Sequence, residues 1–422
     1  MRRIVRAAAA LAVLLAASLL SGCWDRIEVN DLAIVHGVAL DRSPEGEVEL
    51  TVSIAVPAQI KPPGAPGGEG QGPPATNKSA TGRTVSEAQT RLQKMLSRQL
   101  FWAQNAVILI GEDLAREGVA DVLDFFTRST QPRLNTVLAV AVGRAKDVLA
   151  TTLPIELNVP SGIQEIERLR IGPFITLRRF LTLLLNEGVE PFVGLVHVTT
   201  TGAPEPGSIG SPQPVSSARE GPTQPSMRGA AVFKGPRLVA LLTEEETPGL
   251  HWAQGDFAIQ TVEVPMGDGK WVGFNVIRQS RRLVPAVKDG EITMRLEVKA
   301  ETALVDNQAS VDADDVAVVR LLEEKLASEI ERSVRHTLDK VQREAQSDIL
   351  GFGAAVRRAM PAVWEQVKAS WDELFPEIPV EVVVDARILR TGLTSRSLTV
   401  PRSRATSLRE LREAGGREGP AR

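Results

Sequence analysis

The chain has 422 residues, 43% of them hydrophobic, 24% charged and 4% aromatic, with no tyrosine and a formal net charge of −3. That near-neutral balance argues against nucleic acid as a main partner, because phosphate binding needs a basic surface. The few aromatics provide poorly for a stacking sugar site, and a single cysteine excludes an intramolecular disulfide.

Arg2, Arg3 and Arg6 precede an uncharged apolar run at 7–20. The run is shorter than the about 20 residues that span a bilayer and suits the h-region of an export signal. The small residues Ser21 and Gly22 then lead into Cys23. Leu20-Ser21-Gly22-Cys23 resembles the bacterial lipobox, whose cysteine thiol is alkylated with diacylglycerol and becomes the first mature residue. We therefore expect a lipoprotein signal peptide at 1–22 and lipidation at Cys23, with membrane lipid as the first partner. One acyl chain anchors marginally and two or three hold well. No later apolar run is long enough to cross a membrane. The mature chain is expected to have ~400 residues, beyond the about 250–300 at which a single core stops growing.

Residues 33–40 and 48–56 read as two strands joined by a Ser-Pro-Glu-Gly turn, the second alternating as a half-buried strand. Residues 57–82 are rich in Gly and Pro and read as a mobile loop. Thr84-Val85-Ser86-Glu87 is a capping box that opens a helix carrying Ala88, Leu92 and Leu96. A buried strand at 106–110, a helical stretch at 112–128 and a strand at 136–142 follow. An apolar helix at 174–186 keeps Arg178 and Arg179 on its wetter side, and 191–198 closes the first half. The alternation predicts helices covering a sheet.

Residues 199–226 have no hydrophobic period and read as a linker. Beyond them, 229–233 and 238–242 flank Lys234-Gly235-Pro236 as a hairpin. Strands are expected at 270–278, 282–287 and 292–305. One long helix over 316–345 carries Leu322, Leu326, Ile330, Val334, Leu338 and Val341 on one stripe. A second amphipathic stretch after Pro361 holds Trp364 and Trp371, and 380–389 is a last strand. The fold class is α+β and multi-domain, with mixed or antiparallel sheets covered by helices and a long helix in the C-terminal domain. The domains are expected at 23–198 and 227–393, with a disordered tail at 394–422.

Several of these stretches, in order, resemble one family. Gly22-Cys23-Trp24-Asp25-Arg26, Glu28, and 31–41 are similar to the start of the mature Ger(x)C spore germination lipoproteins. Residues 111–118 with Asp124, Phe125, Phe126 and Arg128 resemble its next block. Residues 229–234 with 245–252 resemble its mid-chain signature, and 348–353 with Pro361, Trp364, Trp371, Phe375 and Pro376 its C-terminal block. One departure is Trp102-Ala103-Gln104-Asn105, where the family commonly has an aromatic-Gly-His step. The resemblance implies the C subunit of a nutrient germinant receptor, lipid-anchored on the outer face of the spore inner membrane. It implies partnership with a multi-pass A subunit and a transporter-like B subunit. It assigns no catalytic residue, and leaves direct nutrient binding open.

The residues themselves offer no other chemistry. His36, His197, His251 and His336 are scattered, with no metal spacing. Residues 311–315 mimic part of a calcium loop but lack its Gly and distant Glu, so Asp312 or Asp314 reads as a helix N-cap. Glu244-Glu245-Glu246 reads as a solvated acidic turn, and Trp364, Trp371 and Phe375 as helix packing or a docking ridge. There is no Gly-x-Ser-x-Gly elbow, Walker loop or cysteine nucleophile. A non-enzymatic protein with no catalytic, cofactor or metal residue is the expectation. The alternative is a solute-binding lipoprotein of an ABC importer, which the sparse aromatics disfavour.

Overall fold

The computed structural model describes residues 1–6, 8–9, 28–55, 75–153, 156, 158–200, 223–255, 261–309 and 311–391. The chain forms two mixed sheets covered by helices, as the α+β reading requires.

The first sheet has ten strands. They are β1 (Leu32–Arg42), β2 (Val48–Ala55), β3 (Ala75–Gly82), β4 (Gln99–Phe101), β5 (Val107–Gly111), β6 (Val137–Ala141), β7 (Ile175–Thr176), β8 (Phe192–Thr200), β9 (Thr223–Lys234) and β10 (Arg237–Leu242). Their main order is β10-β9-β8-β6-β5-β1-β2-β3. β1, β5, β6 and β8 are parallel to their neighbours in the centre, and antiparallel strands extend both wings. Parallel strands need helical crossovers that cover both faces, and so read as continuous apolar runs. β5 and β6 meet this: every residue of each is buried. Their side chains still divide with period two. Ile108 and Ile110 join one face core with Leu40, Leu92, Phe126 and Phe180, while Val107 and Leu109 join the other with Ala139 and Val148.

Three expectations for this half change. Residues 75–82 are not loop: they form β3, an edge strand pairing with β2 over its whole length. Their small polar side chains leave no apolar signal, yet Ser79 hydrogen-bonds Thr51 (2.7 Å) and Asn77 Nδ2 donates to the Leu149 carbonyl (2.8 Å). β2 itself is wholly buried rather than half-buried, because its polar face (Glu49, Thr51, Ser53) is covered. Lys146 reaches Glu49 there at 3.1 Å, beside an Arg144–Glu49 pair. The helical stretch at 112–128 is two helices, separated by a break at Gly118 (φ 135°). Counting from the chain start, the helices are α1 (Val85–Gln93), α2 (Glu112–Glu117), α3 (Ala120–Arg128), α4 (Ala145–Leu149), α5 (Val159–Arg168) and α6 (Leu177–Leu185).

The Thr84 cap is present: its hydroxyl accepts from Glu87 N (3.2 Å), and Glu87 accepts in turn from Arg83 N (3.0 Å) rather than from Thr84 N. β9 starts within the stretch read as a linker and β10 lies beyond it, yet both belong to the first sheet. Strand therefore occupies both ends of 199–226, with β8 running to Thr200 and β9 starting at Thr223.

The second sheet has the order β11-β12-β13-β14, from β11 (Thr261–Pro265), β12 (Trp271–Lys288), β13 (Glu291–Asn307) and β14 (Val380–Arg390). The strands expected at 270–278 and 282–287 are one, β12, bent by a register shift near Val276. β12 turns into β13 through Asp289 (φ 53°) and Gly290 (φ 85°), the positive pair of a type I′ hairpin turn. Helix α7 (Thr247–Gln254) precedes this sheet. α8 (Val316–Asp339) then crosses it, with Leu322, Leu326, Ile330, Val334 and Leu338 all buried against Met294, Leu296, Val298 and Ala300. Three short helices, α9 (Phe352–Ala359), α10 (Pro361–Val367) and α11 (Trp371–Leu374), lead to β14. The core of this half continues into Phe192, Ala230, Val232 and Leu242 of the first sheet, so the two halves share apolar packing.

Candidate functional site

Cys23, the predicted lipidation site, lies outside the described residues, as does the tail at 394–422. The four histidines stay apart. His36 is on β1, His197 on β8 with its Nε2 at 3.1 Å from the Arg228 carbonyl, His251 on α7 and His336 exposed on α8. Burial lowers the pKa of His251 to about 3. Among the described residues no three His, Cys, Asp or Glu side chains gather as metal ligands. The cap of α8 is Asp315, which accepts from Ala317 N (2.8 Å), rather than Asp312 or Asp314. Glu246 is not solvated. It is buried and accepts from Thr243 N (2.8 Å), with Lys340 at 3.6 Å.

The most elaborate arrangement lies where the two halves meet. It begins with Asp348, which follows the long helix and precedes α9. Gly351 takes a left-handed conformation (φ 78°) to start that helix. The Asp348 carboxylate turns back and accepts from the N–H groups of Gly351 (2.8 Å), Phe352 (2.9 Å) and Gly353 (2.8 Å). Those are N–H groups that a helix start leaves without partners, and a carboxylate there also suits the helix dipole. The indole N–H of Trp371 donates a fourth bond, at 3.1 Å. Burial outweighs the lowering effect of the four donors and leaves the Asp348 carboxyl raised to about 7.

The first half meets this cradle through 187–190. Gly188 (φ 76°) stacks directly on Gly353: a methyl group on Gly353 would lie 2.6 Å from Gly188 Cα and 2.9 Å from both the Trp364 and Trp371 rings. Neither position admits a side chain, and the backbones bond instead. Ala354 N donates to the Gly188 carbonyl (2.7 Å), and Glu190 N to the Asp348 carbonyl (2.9 Å). Trp364 and Trp371 are both buried, edge to face with centroids 5.3 Å apart. Trp364 Nε1 donates to Glu187 (3.3 Å). Glu190 accepts from Gly235 N (2.6 Å), which ties the β9–β10 turn to the same place. Ser347 Oγ also donates to the Phe233 carbonyl.

A cleft of about 400 Å³ opens beside this joint, between Glu187, Glu190, Trp364, Lys368 and Asp372. Its charged groups already have partners, Lys368 in Glu365 (2.7 Å) and Asp372 in Lys234 (3.4 Å). The chemistry on offer is therefore structural: a buried carboxylate and two indoles fix one half of the chain to the other. Sequence reading singled out 348–353, Trp364 and Trp371, and the structure brings them together. It missed Glu187, Gly188 and Glu190. The readable signal was the pair of glycines at 188 and 353, but nothing local says that they touch.

Comparison with known proteins places this architecture. Residues 25–198 match the family described as spore germination protein N-terminal domain. Residues 228–392 match the one described as spore germination B3/GerAC like, C-terminal. Spore germination protein KC of Bacillus subtilis (strain 168) is 28% identical over 401 residues, covering 92% of this chain and 97% of that protein. YfkR of the same strain is 27% identical over 394 residues, with 92% and 97% covered. The crystal structure of the GerBC protein has the same fold, with a TM-score of 0.54 at 21% identity, covering 84% of this chain and 97% of that one. Both halves thus match in order across nearly all of the described protein, and the chain belongs to the Ger(x)C family of spore germination proteins, the C subunits of germinant receptors.

Proposed function

We propose that this protein works as a lipid-anchored, non-enzymatic subunit of a nutrient germinant receptor, held on the outer face of the spore inner membrane through acylated Cys23. The observation that carries the reading is the ordered match of both halves to the spore germination domains. The sequence of the first 23 residues supports the anchor, since charge, apolar run, small residues and cysteine follow in the order a lipoprotein signal needs. The described residues support a binding role, because the polar groups of the joint are committed to holding the fold.

The partners on this reading are a multi-pass A subunit and a transporter-like B subunit. Tethering all three to one membrane makes their encounter nearly intramolecular, so modest contacts suffice. Affinity isolation of the full chain from detergent-solubilised spore inner membranes tests it. Recovery of one multi-pass protein and one permease-like protein in constant proportion is expected. Isolation of the chain with neither would overturn the assembly.

A further inference from the structure

A second cleft, of about 310 Å³, lies at the start of α6, and among its described lining residues arginines outnumber carboxylates. Arg178 and Arg179 of α6 line it, with Arg170 and Glu167 at the end of α5, and Phe174 and Phe192 as its apolar wall. Behind Gln254, another lining residue, sits the largely buried Arg281. Its Nε donates to the Gln254 carbonyl (3.3 Å) and its Nη1 to the Leu350 carbonyl (3.2 Å). Burial lowers the Arg281 pKa most; the like charges Arg358 and Arg179 lower it further, and Asp348 opposes them. Among the described residues, none of Arg178, Arg179, Arg281 or Arg358 forms an ion pair.

Several helix arginines elsewhere are paired instead. Arg91, Arg116 and Arg335 each pair with a glutamate four residues earlier, Glu87, Glu112 and Glu331. Here Glu167 is the one carboxylate among the described lining residues, with burial raising its pKa and Arg170 lowering it. Gathering like charges around a partly buried guanidinium is costly in a low-dielectric setting unless an anion joins them. The backbone of the helix start is not the attraction. The N–H groups of Leu177, Arg178 and Arg179 are taken by the Thr136 carbonyl, the Leu134 carbonyl and the Thr176 hydroxyl. The guanidinium forks of Arg178 and Arg179 remain available, and they match the two-oxygen geometry of carboxylate or phosphate.

We propose that the cleft between α5, α6 and Gln254 is a binding site for a small oxyanion, a carboxylate or phosphate group, gripped by Arg178 and Arg179, with any apolar body against Phe174 and Phe192. The oxyanion can come from a free molecule or from a lipid headgroup. The site is independent of the receptor reading, since it rests on the charges alone.

The test is thermal unfolding of the full chain in detergent, titrated with inorganic phosphate at constant ionic strength against chloride. A saturable rise in Tm is expected for the wild type. In Arg178→Gln/Arg179→Gln the apparent affinity should fall at least about tenfold, as loss of charge-assisted hydrogen bonds implies. Both arginines are exposed, so the variant should fold, and Arg335→Gln, remote and also exposed, should bind as the wild type does. A parallel arm uses phosphatidylcholine vesicles with and without phosphatidylglycerol. Arginine-dependent stabilisation by phosphatidylglycerol without any effect of free phosphate would assign the oxyanion to a headgroup. Absence of both effects, or equal effects on the double variant and the wild type, would overturn the site.

Discussion

Asp348 shows how one residue joins distant parts of a chain. It spends its charge on four donors, three from the start of α9 and one from Trp371. Asp348→Asn replaces one acceptor oxygen with an NH₂ that faces donors. Leaving buried groups unpaired in this way should cost about 3 kcal/mol. Urea unfolding followed by tryptophan fluorescence measures it, and a loss below about 1 kcal/mol would mean the cradle is not needed. His251 gives a different handle, through pH. Its pKa falls from 6.5 to about 3 on folding, so the native state binds fewer protons than the unfolded chain between those values. The stability it contributes is therefore complete above pH 6.5 and is lost as pH falls toward 3. Between pH 7.5 and 5 that loss should amount to roughly 1–2 kcal/mol. Asp348, raised to about 7, acts in the opposite sense over the same range, so His251→Asn should lose less stability than the wild type, or gain some, on going from pH 7.5 to 5 when stability is measured by chemical unfolding across pH. An unchanged slope would show that other groups set it. Neither role was legible in sequence: an Asp and a His carry no sign of what will bury them.

Elements were legible where a local rule governs them. The strands β5 and β6 announce themselves as apolar runs, α1 by its capping box, and the β9–β10 turn by Lys234-Gly235-Pro236. α8 was readable from a stripe of apolar residues that spans its length. That stripe is the main cover of the second sheet, and Leu326 is fully buried at its middle. Leu326→Ala should cost about 2–5 kcal/mol, the usual range for deleting a buried leucine side chain. Calorimetry or denaturant unfolding reports it, and a cost near that of an exposed site would contradict the packing. The elements that were misread lack a local rule. β3 has no large apolar residue, since it is an edge strand held by hydroxyl and amide contacts. Gly118 divides α2 from α3, and the turn between β9 and β10 docks there, with Val119 N donating to the Pro236 carbonyl at 2.9 Å. That contact joins residues far apart in sequence, and no periodicity encodes it.

At the scale of the molecule, sequence gave the class and structure the connection. The α+β class followed from the order of strands and helices. That β9 and β10 complete the first sheet did not, because strand pairing across 199–226 is a non-local choice. Nor did the Gly188–Gly353 contact, since only Gly353 fell in a stretch the sequence reading singled out. Their closeness makes the described halves one packed body with a shared apolar core. Such a body suits the proposed receptor subunit, whose work is contact at a membrane. On the proposed reading the anchor is the condition for function, and Cys23→Ala would remove it. The decisive measurement is fractionation of spores carrying Cys23→Ala, together with their response to nutrient. The expected result is release of the protein from the inner-membrane fraction and impaired nutrient germination. A membrane-retained protein with normal nutrient germination would contradict the proposal.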